Sequence, residues 1–414
     1  MSGIQDNLEG RCKYHILPID RAGHEFHDNS LKNKRIVVVA YLYYLDQVSK
    51  LCTYLNNLPV YIEIVIISSD AQVIDEARRI IRHDIRSSFI EKPNIGRDVS
   101  ALLVSAKPYI ISADYVCFVH DKKEHQNIKR VNETELWLEN IWENTLVSSA
   151  YVEGLLQLFE GCKSIGVLTV PQPIGMHFDT WAGQGWYESF DATRELAERL
   201  HLNVEINKND PPITIGTALW FRGKAMKKLL SYEWVFSDFD DDRLCDGNYI
   251  SYAVERIFSY IAADAGYETA VVMTDKYAEK QTQYAQNLMR IYADTLSTLL
   301  GISLGADCVQ VLNRFDNIRD LLSKCSKCYL YGAGRWGRIC LRLIRLMGYS
   351  VERFIVTRKD DENTIEGVPV GELEDIESMK EGVLIVVTVS DCNARDVIAK
   401  GLIEKGFHYT CFWE

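Results

Sequence analysis

The chain has 414 residues, 47% of them hydrophobic and 25% charged, with a formal net charge of -12. That length exceeds one ordinary domain, and that composition belongs to a soluble globular protein. The acidic balance argues against broad binding of nucleic acid, which needs a basic face, so any anion would have to be held locally. Eleven cysteines occur singly apart from Cys325-Ser326-Lys327-Cys328, a pattern that predicts reduced thiols in a cytoplasmic protein. This lone C-x-x-C has no second Cys or His pair at zinc spacing and reads as thiols at the start of a strand. Residues 1–34 are polar, lack the apolar run of a signal peptide and are read as an N-terminal extension. No segment reaches the ~18 apolar residues that suggest a membrane span.

From Arg35 onward, strand-like and helix-like runs alternate, which predicts an α/β fold with a mixed, mainly parallel sheet covered by helices on both faces. "RIVVVAYL" reads as the first strand, because a continuous β-branched run suits a strand buried on both faces. A helix over Asp46 to Leu58, a strand at "YIEIVIISS", a helix over Ala71 to Arg82 and a short strand at Phe89-Ile90 follow. Next come a helix over Val99 to Tyr109, a strand at "DYVCFVH", a helix over Glu135 to Phe159 and a strand at "SIGVLTVPQP". The Gly- and Trp-rich "IGMHFDTWAGQGWYESF" can bend and cover something flat, or simply pack as a surface loop. "PPITIGTALWFRGKAMKKLL" predicts a strand running into a helix. "DGNYISYAVERIFSYIAADAGYETAVVM" predicts a helix, a Gly stop and a strand. Lys276 to Leu322 reads as a helical linker with a break near Gly301 to Gly305. A second, smaller Rossmann-like α/β unit is expected over 323–414, from "CYLYGAGRWGRICLRLIRLMGYSVERFIVT", "GVLIVVTVS", a helix and "FHYTCFW".

Two clusters of chemistry fall at predicted strand ends, where open α/β sheets bind ligands. In the first, Gly96 permits close backbone approach, Arg97 offers a planar fork for phosphate, and Asp98 either caps the next helix or accepts from ribose or base. The second is His120-Asp121-Lys122-Lys123, a ligand site or a solvated turn.

The order of these motifs resembles a GT-A type glycosyltransferase, in which an Asn-x-Gly segment leads through a helix to a strand ending in a metal-holding D-x-D. Asn94-Ile95-Gly96 and "DYVCFVHDK" stand in those places. More closely, "NIGRD", "FVHDKK", "LWFR" and "AVERI…AGY" together resemble the rhamnan synthesis protein F family, over roughly Arg35 to Asp275. The resemblance implies a transferase that moves a sugar, rhamnose or another deoxysugar, from a nucleotide-sugar donor to a glycan or lipid-linked glycan acceptor of the bacterial cell surface. It places the work in the cytoplasm or at the inner face of the membrane. Oligomeric state stays open.

The departure from D-x-D leaves one carboxylate beside an imidazole and an ammonium, a poorer setting for a hard cation. Lys122 or Lys123 with Arg97 is therefore expected to offset the leaving diphosphate, while Asp121 with His120 could still hold Mn²⁺ or Mg²⁺. In inverting GT-A enzymes the base often begins a helix that ends about eleven residues later in Gly-Tyr. Glu255 lies eleven residues before Gly266-Tyr267 and is the candidate base by that resemblance, with Asp246 in reserve. Glu255 and Arg256 also read as a helix-surface pair, and Arg256 as a phosphate contact. Trp220 and Arg222, closing "LWFR", are expected either to stack on sugar and reach diphosphate or to belong to the core. "SDFDDDRLCD" reads as an acidic loop or the lining of an acceptor groove.

In the second unit Gly332-Ala333-Gly334-Arg335-Trp336-Gly337 follows a strand and opens a helix, the context in which G-x-G-x-x-G holds phosphate, although a unit of this kind can instead serve packing or assembly. The next strand ends in Thr357 and Arg358 where dinucleotide enzymes carry an acid, which argues against NAD unless Asp360, or Arg358 with a 2′-phosphate, takes that part. The expected organisation is thus an extension over 1–34, a transferase domain over 35–275, a linker over 276–322 and a Rossmann-like unit over 323–414. A non-catalytic nucleotide-sugar-binding or scaffold subunit is the competing reading.

Overall fold

In a computed structural model, the run Ile36–Tyr41 forms a strand with all six residues buried. Its side chains alternate between two cores. Ile36, Val38 and Ala40 enter one, and Val37, Val39 and Tyr41 the other, as the two-residue period of a strand covered on both faces requires. The structure describes residues 13–20, 31, 33–123, 133–172, 186, 189–209, 212–214, 216–239, 250–300, 318–358, 363–378 and 380–412. Two compact units divide the chain, Met1–Tyr284 and Ala285–Glu414.

The first unit holds a sheet of eight strands: β1 (Lys13–Leu17), β2 (Ile36–Tyr41), β3 (Glu63–Ser68), β4 (Ser87–Glu91), β5 (Tyr115–His120), β6 (Ile165–Thr169), β7 (Leu219–Arg222) and β8 (Glu268–Thr274). Their order is β1-β8-β6-β7-β5-β2-β3-β4. Every pairing is parallel except those of β7, which runs antiparallel to β5 and β6. The chain steps outward from β2 to β3 and β4, then returns to the other flank of β2 as β5. This reversal opens a crevice at the carboxyl ends of β2 and β5, the usual place for a ligand in such sheets.

The helices of this unit are α1 (Leu45–Leu55), α2 (Ala71–Ile80), α3 (Arg97–Ser100), α4 (Lys107–Ile110), α5 (Glu133–Leu146), α6 (Ser149–Gly161), α7 (Phe190–Arg199), α8 (Lys227–Ser231) and α9 (Ile250–Asp264). A π-helical turn, Ala101–Ser105, joins α3 to α4, so the helix expected over Val99 to Tyr109 is three short pieces. Pro108 lies in the first turn of α4, where its missing N–H costs least. The long helix expected over Glu135 to Phe159 is also divided, because the Ser148 side chain accepts the amide of Tyr151 and starts α6 anew.

Residues 1–34 are not simply an extension, since β1 adds an edge strand in register with β8, from Lys13 opposite Ala270 to Leu17 opposite Thr274. The stretch expected as a helical linker, 276–322, contains the boundary between the two units. It begins as a 26-residue helix, α10 (Asp275–Leu300), and Ala293, Leu296, Ile318 and Leu322 all join the second unit's core. The expected break near Gly301 to Gly305 lies outside the described residues.

The second unit carries β9 (Lys327–Tyr331), β10 (Arg353–Ile355), β11 (Thr364–Ile365), β12 (Val368–Gly371), β13 (Val383–Val387) and β14 (Tyr409–Cys411), with α11 (Arg335–Leu346) and α12 (Cys392–Glu404). Its order is β11-β12-β10-β9-β13-β14, parallel except for the β11–β12 pair. Cys328 is buried in this core and burial pushes its thiol up to about 12, the opposite of a reactive thiol. Among the described residues no helix is long and apolar enough to cross a membrane.

Candidate functional site

At the carboxyl end of the first sheet, Tyr41 of β2 lies opposite His120 of β5. The chain leaves β5 with Asp121, which is 6% exposed. Its Oδ2 accepts the backbone amides of Tyr43 at 2.9 Å and Tyr44 at 2.8 Å. This carboxylate therefore ties the loop after β2 to the end of β5. Its Oδ1 is buried and has no hydrogen-bond partner among the described residues. Burial pushes the carboxyl up from 3.8 to about 6, although the two amides and the His120 ring act to lower it. The His120 ring turns its Nδ1 to the Asp121 carbonyl at 2.9 Å. Lys122 sets its Nζ 4.4 Å from the centroid of the Trp137 ring.

The group raised above its usual value is favoured protonated in the folded chain, so its contribution is full below pH 3.8 and is lost as pH rises through about 6. Across that window the loss amounts to about 3 kcal/mol. Asp121→Asn keeps an oxygen for the two amides and removes the titration. Denaturant unfolding at several pH values from about 4 to 7 should therefore show wild type losing stability relative to the variant, and a pH-independent difference would contradict this account.

The other cluster leaves β4. Lys92 is buried, and its Nζ donates to the carbonyls of Pro93 and Ile95, both at 2.9 Å. Gly96 is left-handed at φ 69° and Arg97 follows at φ 48°, a conformation rare for a side chain as large as arginine and of the kind that gathers at binding sites. Arg97 and Asn94 are exposed. Asp98 accepts the hydroxyl of Thr217 on its Oδ2. The N-cap of α3 is Gly96, which has no side chain to cap the helix, and Asp98 lies within its first turn.

Glu255 lies on α9 with its side chain 23% exposed, beside Arg256 at 3%. The Arg256 Nη1 donates to Glu255 Oε2 at 3.2 Å and to the Tyr252 carbonyl at 3.0 Å. Burial raises the Glu255 carboxyl. Arg256, Lys122 and His120 oppose that shift and Asp98 adds to it. These interactions tie α9 to both strand-end clusters, so Glu255 shares one electrostatic neighbourhood with Asp98, His120 and Lys122. Arg256 is buried and holds the part-buried Glu255 as an ion-pair partner.

Trp220 and Arg222 do not join this site. Because β7 is antiparallel, Arg222 pairs with Tyr115, the first residue of β5, at the far end of the sheet. There it donates to the Tyr115 hydroxyl at 2.9 Å and the Phe159 carbonyl at 2.8 Å. Trp220 is fully buried and donates its indole N–H to Thr145. The beginning of β7, not its end, meets the site, and the residue it brings is Thr217, which the sequence reading passed over. Arg222→Ala should lower stability by about 2 kcal/mol by orphaning buried acceptors while leaving ligand titrations unchanged. A weakened titration would return Arg222 to the site.

Asp246 and Asp360 lie outside the described residues, as does most of the Gly- and Trp-rich loop. Trp186 of that loop is described, and it is buried against Phe190 and Tyr260.

Asp121 has one oxygen already committed to two amides, lysine follows it, and among the described residues no group of three or more His, Cys, Asp or Glu could hold a metal.

In the second unit two of the three glycines have packing reasons. Gly332 is at φ 112° with a Cβ position 2.9 Å from Thr388 Oγ1, and a Cβ on Gly337 would sit 2.0 Å from the Gly332 carbonyl oxygen. Gly334, at the start of α11, faces nothing within 4 Å. At the end of β10, Thr357 is exposed and its hydroxyl lies 3.3 Å from that of Tyr331.

The sequence pattern of one family, rhamnan synthesis protein F, matches residues 13–267, more than half of the chain. The chain belongs to the rhamnan synthesis protein F family. The matched span begins at β1, which accords with that strand being part of the first sheet. No curated protein sequence matches this family member significantly. Among solved structures, the glycosyltransferase GlyE of Streptococcus pneumoniae TIGR4 is 12% identical, with 91% of each chain covered and a TM-score of 0.29. The apo form of the same protein gives 12%, 91% and 0.27. Likeness at that level carries no argument about this chain.

Proposed function

We propose that this member of the family is a glycosyltransferase of the GT-A kind. It takes a sugar, rhamnose or another deoxysugar, from a nucleotide-sugar donor and adds it, with inversion, to a glycan or lipid-linked glycan acceptor in polysaccharide synthesis. The observation that carries the reading is that Asp98, His120 and Lys122, from the two strand ends, all act on the charge of the Glu255 carboxyl. A base, a hydrogen-bond acceptor for ribose or base, and cations for diphosphate are thereby gathered where an α/β sheet presents ligands.

In this reading the acceptor hydroxyl attacks the anomeric carbon as Glu255 takes its proton, and the bond to the donor diphosphate breaks with the electron pair leaving on phosphate oxygen. The raised carboxyl of Glu255 makes it a stronger base once ionised. Arg97 and Lys122 offset the charge that develops on the diphosphate, and their exposure leaves them accessible to it. Asp121 acts through the backbone, fixing the loop after β2, and its Oδ1 supplies one more acceptor. Mg²⁺ or Mn²⁺ would add charge at the same diphosphate, and the donor set argues that side chains carry most of it. In the second unit the open face of Gly334 supports a nucleotide phosphate at the Gly332–Gly337 turn.

Calorimetric titration of the full chain with UDP-, dTDP- and GDP-sugars, with Mg²⁺, with Mn²⁺ and with chelator, tests the proposal. At least one donor should bind, and Arg97→Ala and Lys122→Ala should each weaken it roughly tenfold, the worth of one charge-assisted hydrogen bond. Binding indifferent to both substitutions would remove the donor from this crevice. The single carboxylate of His120-Asp121-Lys122 favours a second reading, a nucleotide-sugar-binding scaffold without chemistry, in which donors bind and no transfer follows.

A further inference from the structure

We propose that Lys92 is a positioning residue: its buried ammonium holds the turn between β4 and α3 in the left-handed shape that presents Arg97 and Asp98. The part played by Arg97 and Asp98 rests on the donor-binding reading above, whereas the hold on the turn does not.

Lys92 is 4% exposed, a rare state for a lysine that among the described residues has no carboxylate in salt-bridge contact. Its Nζ instead meets two main-chain carbonyls of the turn itself, Pro93 and Ile95, each at 2.9 Å. Aromatic faces cover it, Tyr41 of β2 with the ring centroid at 5.2 Å and Phe236 at 5.9 Å. The Ile95 carbonyl also accepts the Ser100 hydroxyl. One carbonyl therefore joins the lysine, the turn and the first helical turn after it. Between these anchors stand Gly96 and Arg97, both at positive φ. A non-glycine residue in that region persists only where its surroundings impose it, and the lysine bridge, together with the Ser100 hydroxyl, bonds directly to the turn's backbone.

Among the described residues, few charged and titratable groups face Lys92. Asp98, from α3, favours its charge. Tyr41 faces it from β2, and burial first, then Asp98 and Asp121, keep that phenol protonated. Phe236 is neutral. Burial lowers the Lys92 ammonium from 10.5 to about 8. A depressed lysine penalises the folded chain while it is charged, so deprotonation above about pH 8 relieves that penalty and global stability gains. The carbonyl bridge loses its charge assistance in the same step. Stability and turn order therefore move in opposite directions between pH 8 and 10, which a side chain that merely fills space would not produce.

The experiment compares the full chain with Lys92→Met and Lys92→Arg by hydrogen exchange, taking protection factors for the amides of residues 95–100 against those of β2, together with melting and UDP, dTDP and GDP titrations. Wild type is expected to lose turn protection about tenfold from pH 7 to 9.5 while its melting temperature rises relative to Lys92→Met. At pH 7, Lys92→Met should show the loosened turn with β2 unchanged, and Lys92→Arg should restore part of it. Equal turn protection in wild type and Lys92→Met overturns the proposal, and so does loss of protection spread evenly over β2 and the turn. Should Lys92→Met fail to fold, the wild-type pH series with Lys92→Arg decides, since arginine keeps its charge throughout and must abolish the transition near pH 8. If the turn responds as expected but wild type binds none of the three nucleotides, the donor reading fails and the role of Lys92 in the turn stands. If a nucleotide binds and the turn does not respond, only the role of Lys92 fails.

Discussion

Glu255→Gln is expected to abolish sugar transfer, lowering kcat by about 10²- to 10⁴-fold, the usual worth of a positioned base, while donor affinity stays within about threefold. The glutamine retains an oxygen for the Arg256 guanidinium, now 3.2 Å from Glu255 Oε2, so the fold should persist. It cannot take a proton. Because burial raises the Glu255 carboxyl, the wild-type rate should climb with pH through that raised value and level off above it, and the residual rate of the variant should lack that rise. Single-turnover kinetics with a binding donor and a glycan primer would measure this. A variant within threefold of wild type would disqualify Glu255 and turn attention to Asp246. Wild type that binds donor and never transfers sugar would instead favour the scaffold reading.

The two strand-end clusters were legible because each sits where a β-branched run stops and polar, glycine-containing sequence begins. A parallel sheet makes that position a shared face. The same habit of thought misplaced Trp220 and Arg222. A strand's end faces the ligand only if the strand runs with its neighbours, and nothing in "LWFR" reports that β7 runs against them. Four residues carry too little pattern to reveal direction. In a reversed strand the residues before it meet the site, and Thr217, bonded to Asp98, stands there.

Edge strand β1 was missed for a different reason. "KYHIL" is half exposed, with Tyr14 at 65% and Ile16 at 57%, so it lacks the continuous apolar run that betrays the central strands. Lys92 was missed because a lysine is expected in solvent. Only its pairing with two carbonyls, made when the chain turns back on itself at Pro93, allows it inside. Both misses come from tertiary partners that local sequence does not carry.

Gly96→Ala should be among the most damaging single substitutions near the site, costing about 3 kcal/mol, and it should weaken donor binding as well. Two causes add. The position is left-handed at φ 69°, which costs a residue with a Cβ about 1 kcal/mol or more. A Cβ would also stand 2.5 Å from Phe239 Cβ, 2.7 Å from its Cγ and 2.7 Å from Ser100 Cβ, distances at which the backbone of one neighbour has to shift. Gly266 separates the two causes, because it shares the left-handed conformation at φ 78° and has nothing within 4 Å. Gly266→Ala should therefore cost only the backbone strain, about 1 kcal/mol, and leave donor titrations alone. Denaturant unfolding of both variants would measure the difference. Equal costs would mean that Phe239 yields freely and that the turn tolerates a side chain. The expected excess at Gly96 would instead mean that the turn is wedged between Phe239 and Ser100, so that any group larger than hydrogen displaces Arg97 and Asp98, the next two residues, from the place where a diphosphate would meet them.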